Sequence, residues 1–154
     1  MNRKPDVLIV DDEEIVRRSY ARILSSAQCN ADAVLSGDEA LRAMERRAYD
    51  VVLLDLRMPG TDGMAVLRTI KQKWPESEVV VITGYPSIEG AKESVRLGAY
   101  DYLAKPVGPQ DVIGATQGAV TRKQWALHPV RTEPGACNDA ARRAHATRHG
   151  TNAC

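Results

Sequence analysis

Phenylalanine is absent from this sequence, and aromatic residues are few: there are two tryptophans and five tyrosines. A hydrophobic core must therefore consist mainly of Val, Ile, Leu, Ala and Met. No uninterrupted apolar run exceeds four residues, whereas a helix that spans a bilayer needs about 20. Val7–Val10, behind the basic start of the chain, is too short for the core of a signal peptide. These absences predict a cytoplasmic protein without a membrane segment.

Cysteine is scarce as well. Cys29, Cys137 and Cys154 are odd in number, and none is spaced with another cysteine or a histidine in a zinc-like pattern. Neither a disulfide framework nor a metal–thiolate site is indicated.

The net charge is only +1, with +4 on residues 119–154 and −3 on residues 1–118. So small a basic excess is not the footprint of a nucleic-acid-binding surface, and we expect no direct binding to nucleic acid.

Three runs of four apolar residues, Val7–Val10, Val51–Leu54 and Val79–Ile82, lack polar alternation. Such runs are typical of strands that are covered on both faces. Residues 29–35 alternate small apolar with polar side chains, which favours an edge strand, and residues 100–104 are a short fifth strand. Helical patterns follow each strand. The sequence therefore predicts an α/β fold of five βα units with a doubly wound parallel sheet.

The helices are predicted from apolar spacing and from capping residues. The acids at 11–14 are expected to open the first helix, and Ser36 and Thr61–Asp62 to begin the second and third. The fourth is expected to begin near Pro86 and to end at Gly98 as a left-handed cap. The residues expected to face inward on the first and fourth helices are Ile15, Val16, Ser19, Tyr20, Ile23, Leu24, Ile88, Ala91 and Val95.

The last helix is expected to run from about Pro109 to Lys123, although two glycines within it each cost about 1 kcal/mol relative to Ala. Apolar periodicity stops beyond Trp125. We therefore expect one domain over residues 5–123, followed by a disordered or loosely attached tail over residues 124–154. An alternative hypothesis makes this basic tail a tether for a partner or for nucleic acid.

Polar side chains stand at the carboxyl ends of the predicted strands. Asp11 and Asp12 follow the first strand, Asp55 the third, Thr83 the fourth and Lys105 the fifth. In a parallel sheet these ends lie along one edge, so three carboxylates, a hydroxyl and an ammonium are expected to converge there. Repulsion among the carboxylates favours a bound divalent cation. Oxygen ligands with room for water and phosphate suit Mg²⁺.

The same residues limit the chemistry of the site. They include no histidine, cysteine or serine–base pair positioned for hydrolysis by a triad. A carboxylate beside Mg²⁺ and Lys105 can instead attack phosphorus and form an aspartyl phosphate, because the two cations spread the charge of the transferring group. Asp55, on the central strand, is the candidate nucleophile. A helix cap is the competing interpretation of an acid at this place.

The chain from Asp6 to about Lys123 resembles the receiver domain of bacterial two-component response regulators. The resemblance rests on motifs in the order and spacing of that family, namely Val10–Glu13, Leu54–Gly60, Thr83–Gly84 and Lys105–Pro106. It implies a flavodoxin-like sheet with strand order 2-1-3-4-5 and a function as a phosphorylation switch. Such a domain is a phosphoacceptor that promotes its own phosphorylation and dephosphorylation, and it is not an enzyme with a separate substrate.

The resemblance also implies a phosphate donor and a metal. Asp55 would accept a phosphoryl group from a sensor histidine kinase or a phosphotransfer protein. Asp12 and Asp55 would bind Mg²⁺ directly, together with the backbone carbonyl of Arg57. Asp11 would help to hold the ion through water.

Further roles follow from the resemblance for the residues around the acceptor. Thr83 would hydrogen-bond the phosphoryl group when the domain switches, and Tyr102 would move inward. Lys105 would pair with a phosphoryl oxygen, and the bond from Lys105 to Pro106 is expected to be cis. Gly84 has no side chain and would leave space for the phosphate donor, although a strand-ending turn explains a glycine here equally well.

The output of such a switch is not visible in the sequence. Ser87–Ala91 and Gly98–Tyr102 look like receivers attached to transcriptional activators or sensor kinases, yet no ATPase motif and no helix-turn-helix pattern follows. A downstream protein effector is therefore the expected partner. A homodimer through the last two helices and the fifth strand is a further arrangement to be tested.

Three other interpretations share parts of this pattern. A flavodoxin-like electron carrier would place an FMN phosphate beside Asp11–Glu14, whose charge would repel it. An aspartyl phosphatase would want a second acid two residues after Asp55, where Arg57 stands. A non-phosphorylated interaction module with the receiver fold is disfavoured, because every expected catalytic position is filled.

Overall fold

The structure is a computed structural model, and it describes residues 3–127. The strands are β1 (Asp6–Val10), β2 (Asn30–Val34), β3 (Val51–Leu54), β4 (Arg57–Met58), β5 (Thr61–Asp62), β6 (Glu78–Thr83) and β7 (Asp101–Ala104). The helices are α1 (Glu14–Ser26), α2 (Gly37–Arg46), α3 (Gly63–Lys73), α4 (Ile88–Arg96) and α5 (Pro109–Leu127). Strands and helices thus alternate as the apolar pattern predicts.

Five of the strands form one parallel sheet in the order β2-β1-β3-β6-β7. Because β6 and β7 are the fourth and fifth strands of this sheet, the predicted order 2-1-3-4-5 is confirmed. The two-residue strands β4 and β5 pair separately as an antiparallel ribbon. In the central part of the sheet Val10 lies opposite Leu54, and Leu54 opposite Val81. The carboxyl ends of β1, β3 and β6 are therefore brought to one edge.

The core has two layers because side chains alternate between the faces of the sheet. On one face, Leu8 packs in a cluster with Ile70 of α3. On the other face, Ile9 packs in a cluster with Leu24 of α1 and Val112 of α5. All five side chains are fully buried. Helices thus cover both faces, which is why the central strands are apolar without alternation.

Side chains cap three helices. Ser36 accepts a hydrogen bond from the backbone N–H of Glu39, Asp62 does so at the start of α3, and Ser87 accepts from the N–H of Gly90. These bonds satisfy N–H groups that have no partner within the helix. The predicted starts of these helices are thereby confirmed.

The start of α1 differs from the prediction. Its N-cap is Glu13, whose side chain makes no capping bond, and only Glu14 lies in the first helical turn. Asp11 and Asp12 precede the helix, and Asp11 Oδ1 accepts a hydrogen bond from the backbone N–H of Glu13 at 2.9 Å. The first two acids therefore lie in the loop at the sheet edge and not in the helix.

Four residues predicted to face inward lie on the surface, and one of them is the polar Ser19. Ile15, Ile88 and Val95 have exposed fractions of 78%, 72% and 66%, so this part of the prediction is wrong. Successive residues of a helix are rotated by about 100°, and the burial of Tyr20 turns Ile15 away from the sheet. In α4 the buried residue is Ser94, which turns its neighbour Val95 outward.

The last helix continues to Leu127, beyond the predicted end at Lys123. Gly118 within it has a packing reason, because a Cβ there would overlap the phenol oxygen of Tyr100. The rest of the predicted tail, residues 128–154, lies outside the described residues. Within residues 3–127, no helix has the length and apolar composition needed to cross a membrane.

Asp50 connects several parts of the chain at the end of the sheet where the parallel strands begin. Its carboxylate accepts hydrogen bonds from Lys123 Nζ at 2.6 Å, Arg3 Nη2 at 3.1 Å and the backbone N–H of Asp6 at 2.7 Å. Burial alone would raise the pKa of Asp50, but these hydrogen bonds outweigh it and hold the pKa at about 2. The charged carboxylate therefore stabilises the fold by linking β1, β3 and α5.

We predict that Asp50→Asn lowers the free energy of unfolding by about 2 kcal/mol near neutral pH, as the depressed pKa implies. A carboxyl whose pKa is lower in the folded state stabilises the fold at pH values above its unfolded pKa, which is 3.8 for Asp50. The difference between the two proteins should therefore shrink as the pH falls from about 4 towards 2. Urea unfolding at several pH values measures it, with the exposed Glu76→Gln as the control. An equal loss at all pH values would contradict the role of the charge.

Candidate functional site

Three carboxylates meet at the carboxyl edge of the sheet. One oxygen each of Asp11, Asp12 and Asp55 lies within 4.8 Å of the others. Backbone hydrogen bonds hold two of these residues in line with the strands: the Asp55 N–H donates to Val10 O at 3.0 Å, and the Asp11 N–H to Val34 O at 3.2 Å. The predicted convergence of the three acids is therefore a direct result of the strand register.

Lys105 brings positive charge to these acids. Its Nζ lies 2.9 Å from Asp11 Oδ2, 3.5 Å from Asp55 Oδ2 and 3.8 Å from Glu13 Oε1. Burial lowers the pKa of Lys105, but the hydrogen bond to Asp11 and the charges of Asp11 and Asp55 outweigh it, so the pKa is raised. The ammonium therefore stays charged. The peptide bond from Lys105 to Pro106 is cis.

Asp55 is less well stabilised as an anion than a surface carboxylate. It is only 5% exposed, and burial raises its pKa. The backbone N–H of Arg57, which donates to Asp55 Oδ1 at 3.1 Å, and the charge of Lys105 lower the pKa, while the charge of Asp11 raises it. The net effect is a raised pKa. An additional cation beside Asp55 would relieve this unfavourable charge.

The residues present fit a hard divalent cation. Asp11, Asp12 and Asp55 offer only oxygen ligands, and Asp12 is exposed at the mouth of the cluster. Lys105 is within an ion-pairing distance of two of the three acids and offsets only part of their charge. Oxygen-only donors with solvent access are the ligand set that suits Mg²⁺. The acidic pocket can therefore hold such a metal.

Thr83 and Tyr102 are near the site but do not bond to the acids. Thr83, at the end of β6, is buried, and its Oγ1 accepts a hydrogen bond from the backbone N–H of Tyr85 at 3.1 Å. Tyr102 Oη accepts from the backbone N–H of Ser87 at 3.2 Å, at the start of α4. A Cβ at Gly90 would come within 2.8 Å of this oxygen. Gly90 is therefore what allows the phenol to lie there.

Gly84 borders the site on the solvent side. It is exposed, and a Cβ added to it would lie 3.9 Å from Lys105 Cδ, which is ordinary van der Waals contact. Packing against the described residues therefore does not require a glycine at this position. The access interpretation and the turn interpretation of Gly84 both remain compatible with the geometry.

One contact beside the site was missed by the sequence reasoning. The guanidinium carbon of Arg57 lies 4.3 Å from the centroid of the Tyr85 ring, in a cation–π pair. Both residues line a groove of about 320 Å³ that also includes Thr83 and Tyr102. The resemblance implies a role for the Arg57 carbonyl, but no local pattern in the sequence pairs the Arg57 side chain with Tyr85.

Comparison with known proteins agrees with this geometry. The family model described as "Response regulator receiver domain" matches residues 7–117. The DNA-binding transcriptional regulator NtrC of Salmonella typhimurium is 33% identical over 127 residues, which are 82% of this chain and 27% of NtrC.

Two solved structures have the same fold as this chain. NtrX from Brucella abortus has a TM-score of 0.76 at 35% identity, and the match covers 81% of this chain and 29% of NtrX. A CheY-like receiver domain protein from Methanospirillum hungatei has a TM-score of 0.77 at 25% identity, and the match covers 80% and 99% of the two chains.

The match thus includes nearly all of a separate receiver protein but less than a third of NtrC or NtrX. The family match includes Asp11 and Asp12 after β1, Asp55 after β3 and Lys105 after β7. Sequence motifs, sheet order and site geometry all lead to one family. The chain belongs to the response regulator receiver domains, the phosphorylation-dependent signalling domains of two-component systems.

Proposed function

We propose that Asp55 is the phosphoacceptor of this receiver. The observation that carries the proposal is the buried Asp55 carboxylate at the end of the central strand, with Lys105 Nζ 3.5 Å away and the other two acids beside it. An oxygen of Asp55 forms a bond to phosphorus while the bond from phosphorus to the donor's histidine nitrogen breaks. The histidine leaves with the electron pair of the broken bond and takes up a proton.

The proposed metal is Mg²⁺, held by Asp12, Asp55 and the backbone carbonyl of Arg57. When bound, it neutralises negative charge on the phosphoryl group. Asp11 would hold the ion through water; its Oδ1 accepts a hydrogen bond from the Glu13 N–H, and its Oδ2 is closer to Lys105 Nζ, at 2.9 Å, than Asp55 Oδ2 is, at 3.5 Å. Asp12 is exposed and is therefore the accessible direct ligand.

The other residues of the site bind the phosphoryl group, change position in response to it or leave space for its donor. Lys105 pairs with a phosphoryl oxygen, for which its flexible stem and raised pKa suit it. On phosphorylation, Thr83 Oγ1 gives up the hydrogen bond that it accepts from the Tyr85 N–H, and the Thr83 hydroxyl donates one to the phosphoryl group. Tyr102 Oη then loses its hydrogen bond from the Ser87 N–H, and the Tyr102 side chain moves inward. Gly84 leaves room for the donor.

The signal then passes to a protein effector over the face of α4 and β7. Ile88 and Val95 are exposed on α4, and Ile88 follows Ser87, whose backbone N–H donates to Tyr102 Oη. A homodimer through α4, β7 and α5 would use the same face. The donor is a sensor histidine kinase or a phosphotransfer protein. The domain promotes hydrolysis of its own aspartyl phosphate, and direct binding to nucleic acid is not part of the proposal. The proposed receiver domain spans residues 5–123 and thus ends within α5.

Phosphorylation by acetyl phosphate and Mg²⁺ should add one phosphate to the wild-type protein and none to Asp55→Asn, because the amide is not a nucleophile towards phosphorus. Intact-mass spectrometry measures the change. Asp38→Asn, which alters an exposed acid outside the site, should be phosphorylated like the wild type. Efficient phosphorylation of Asp55→Asn would rule out Asp55 as the acceptor.

Mg²⁺ at a hundredfold excess over its dissociation constant should stabilise the wild-type protein by about 2.7 kcal/mol. Asp12→Ala should lose most of this increment because a direct ligand is gone. Without metal it should be at least as stable as the wild type, because one repelling charge is gone. Thermal unfolding in EDTA and in Mg²⁺ measures both effects, with Asp38→Ala as the control. A full Mg²⁺ increment in Asp12→Ala would show that the residue is not a ligand.

Lys105→Met should destabilise the metal-free protein, because Asp11 is only 2% exposed and would lose its partner at 2.9 Å. We expect a loss of about 2–3 kcal/mol, somewhat less than for a fully buried pair. The double variant Lys105→Met/Asp11→Asn should recover part of the loss, since Asp11 then carries no unpaired charge and only Asp55 still lacks its contact with Lys105 at 3.5 Å. Urea unfolding in EDTA tests this, with the exposed Lys92→Met as the control. Additive losses in the double variant would contradict the pairing.

A further inference from the structure

The side chain of Arg57 is directed to an aromatic ring and not to the acids of the site. Arg57 begins β4, two residues after Asp55, and its backbone N–H donates to Asp55 Oδ1 at 3.1 Å. Within residues 3–127, its guanidinium forms no ion pair with a carboxylate. The guanidinium carbon instead lies 4.3 Å from the centroid of the Tyr85 ring.

This contact makes a large contribution to the position of the Tyr85 ring. Tyr85 is 66% exposed, so burial does little to fix its side chain. A cation over the face of an aromatic ring is attracted by the negative potential of that face. Arg57 therefore holds a ring that would otherwise be free to move in solvent.

The backbone of Tyr85 is bonded to Thr83. The Tyr85 N–H donates to Thr83 Oγ1 at 3.1 Å. Pro86 follows Tyr85 and disfavours helical conformations of the Tyr85 backbone, so few backbone movements can displace this N–H without also displacing the ring. The position of the ring and the hydrogen bond at Thr83 are therefore coupled.

The Arg57–Tyr85 pair thus joins two loops at the site. Arg57 follows the loop after β3, and Tyr85 belongs to the loop between β6 and α4. The second loop continues to Ser87, whose N–H donates to Tyr102 Oη at 3.2 Å. Both hydrogen bonds that are lost in the proposed switch are therefore donated by residues of the loop that Arg57 holds through Tyr85.

We propose that Arg57 and Tyr85 are positioning residues that favour the unphosphorylated conformation. Their contact keeps the Tyr85 N–H on Thr83 Oγ1, and this bond is given up when the Thr83 hydroxyl donates to the phosphoryl group. Loss of the pair therefore makes the switch easier. The proposal rests on the proposed functions of Asp55 and Thr83, and it adds the pair that opposes their change of state.

Amide hydrogen exchange of the full chain in EDTA tests the restraint in the absence of a phosphoryl group. The amide of residue 85 should exchange about twofold to fivefold faster in Arg57→Met than in the wild type, since an exposed cation–π pair changes an equilibrium by about that factor. Arg42→Met removes a charge at an exposed position of α2 and should leave this exchange unchanged. Equal exchange of residue 85 in Arg57→Met and the wild type would overturn the proposal.

Beryllofluoride with saturating Mg²⁺ is the probe for the switched conformation, because it mimics a phosphoryl group on a carboxylate. Calorimetry should show that Arg57→Met and Tyr85→Leu each bind it about twofold to fivefold more tightly than the wild type. The double variant should bind no more tightly than either single variant, because the two residues act as one pair. Tyr85→Phe keeps the ring face and should bind like the wild type, as should Arg42→Met.

The results separate this proposal from the function on which it rests. Unchanged affinity in both single variants, or additive gains in the double variant, would overturn the role of the pair while leaving Asp55 as the acceptor. Weaker binding by Arg57→Met would show that the guanidinium contacts the phosphoryl group, and it would also overturn the restraint. Equal binding by Asp55→Asn and the wild type would reject the acceptor itself, and with it the role of the pair in switching.

Discussion

Repulsion among three carboxylates at one edge of the sheet is the constraint on which the function of this domain depends. The register of β1 and β3 brings Asp11 and Asp55 together, and the apolar residues below them set that register. Water cannot relieve the repulsion fully because both side chains are nearly buried. Lys105 offsets part of the charge through contacts of 2.9 and 3.5 Å. The remaining negative charge favours a divalent cation at this edge.

The two ends of β3 carry acids with opposite properties. Asp50, just before the strand, accepts hydrogen bonds from two cationic side chains and a backbone N–H, and its pKa falls to about 2. Asp55, just after the strand, accepts a hydrogen bond from the backbone N–H of Arg57, and the Lys105 ammonium lies farther away, at 3.5 Å. Burial raises the pKa of Asp55. The first end of the strand thus stabilises the fold, while the second keeps a carboxylate that is incompletely paired. Incompletely satisfied groups of this kind are typical of functional sites.

The surface of α4 lies beside Tyr102, the residue whose movement is part of the proposed switch. The Tyr102 hydroxyl lies against the start of α4, where the absence of a side chain at Gly90 makes room for it. Ile88 and Val95 are exposed on the same helix. A shift of Tyr102 would therefore alter the environment of an apolar surface, and isolated apolar residues on a surface are inexpensive to keep until a partner covers them.

Local sequence determined the strands, most helix starts and the positions of the site residues along the chain. These signals act within a few residues of the chain, so their effects can be predicted before the fold is known. Examples are the apolar run Val51–Leu54, the capping residue Ser36 and the left-handed Gly98. Parallel pairing then placed the acids correctly, because every strand of such a sheet ends at the same edge.

Other features depended on the tertiary structure because they join distant residues or fix the rotation of a helix. Lys105 bonds most closely to Asp11, 94 positions away, and Arg57 stacks on Tyr85 across two loops. The packing of α4 on β7 turns Ile88 outward, whereas the apolar pattern of α4 predicted that Ile88 faces inward. The Asp50 contacts with Arg3 and Lys123 arise likewise where the amino end of the chain meets α5. Such contacts follow from the packing of whole elements, which no local pattern encodes.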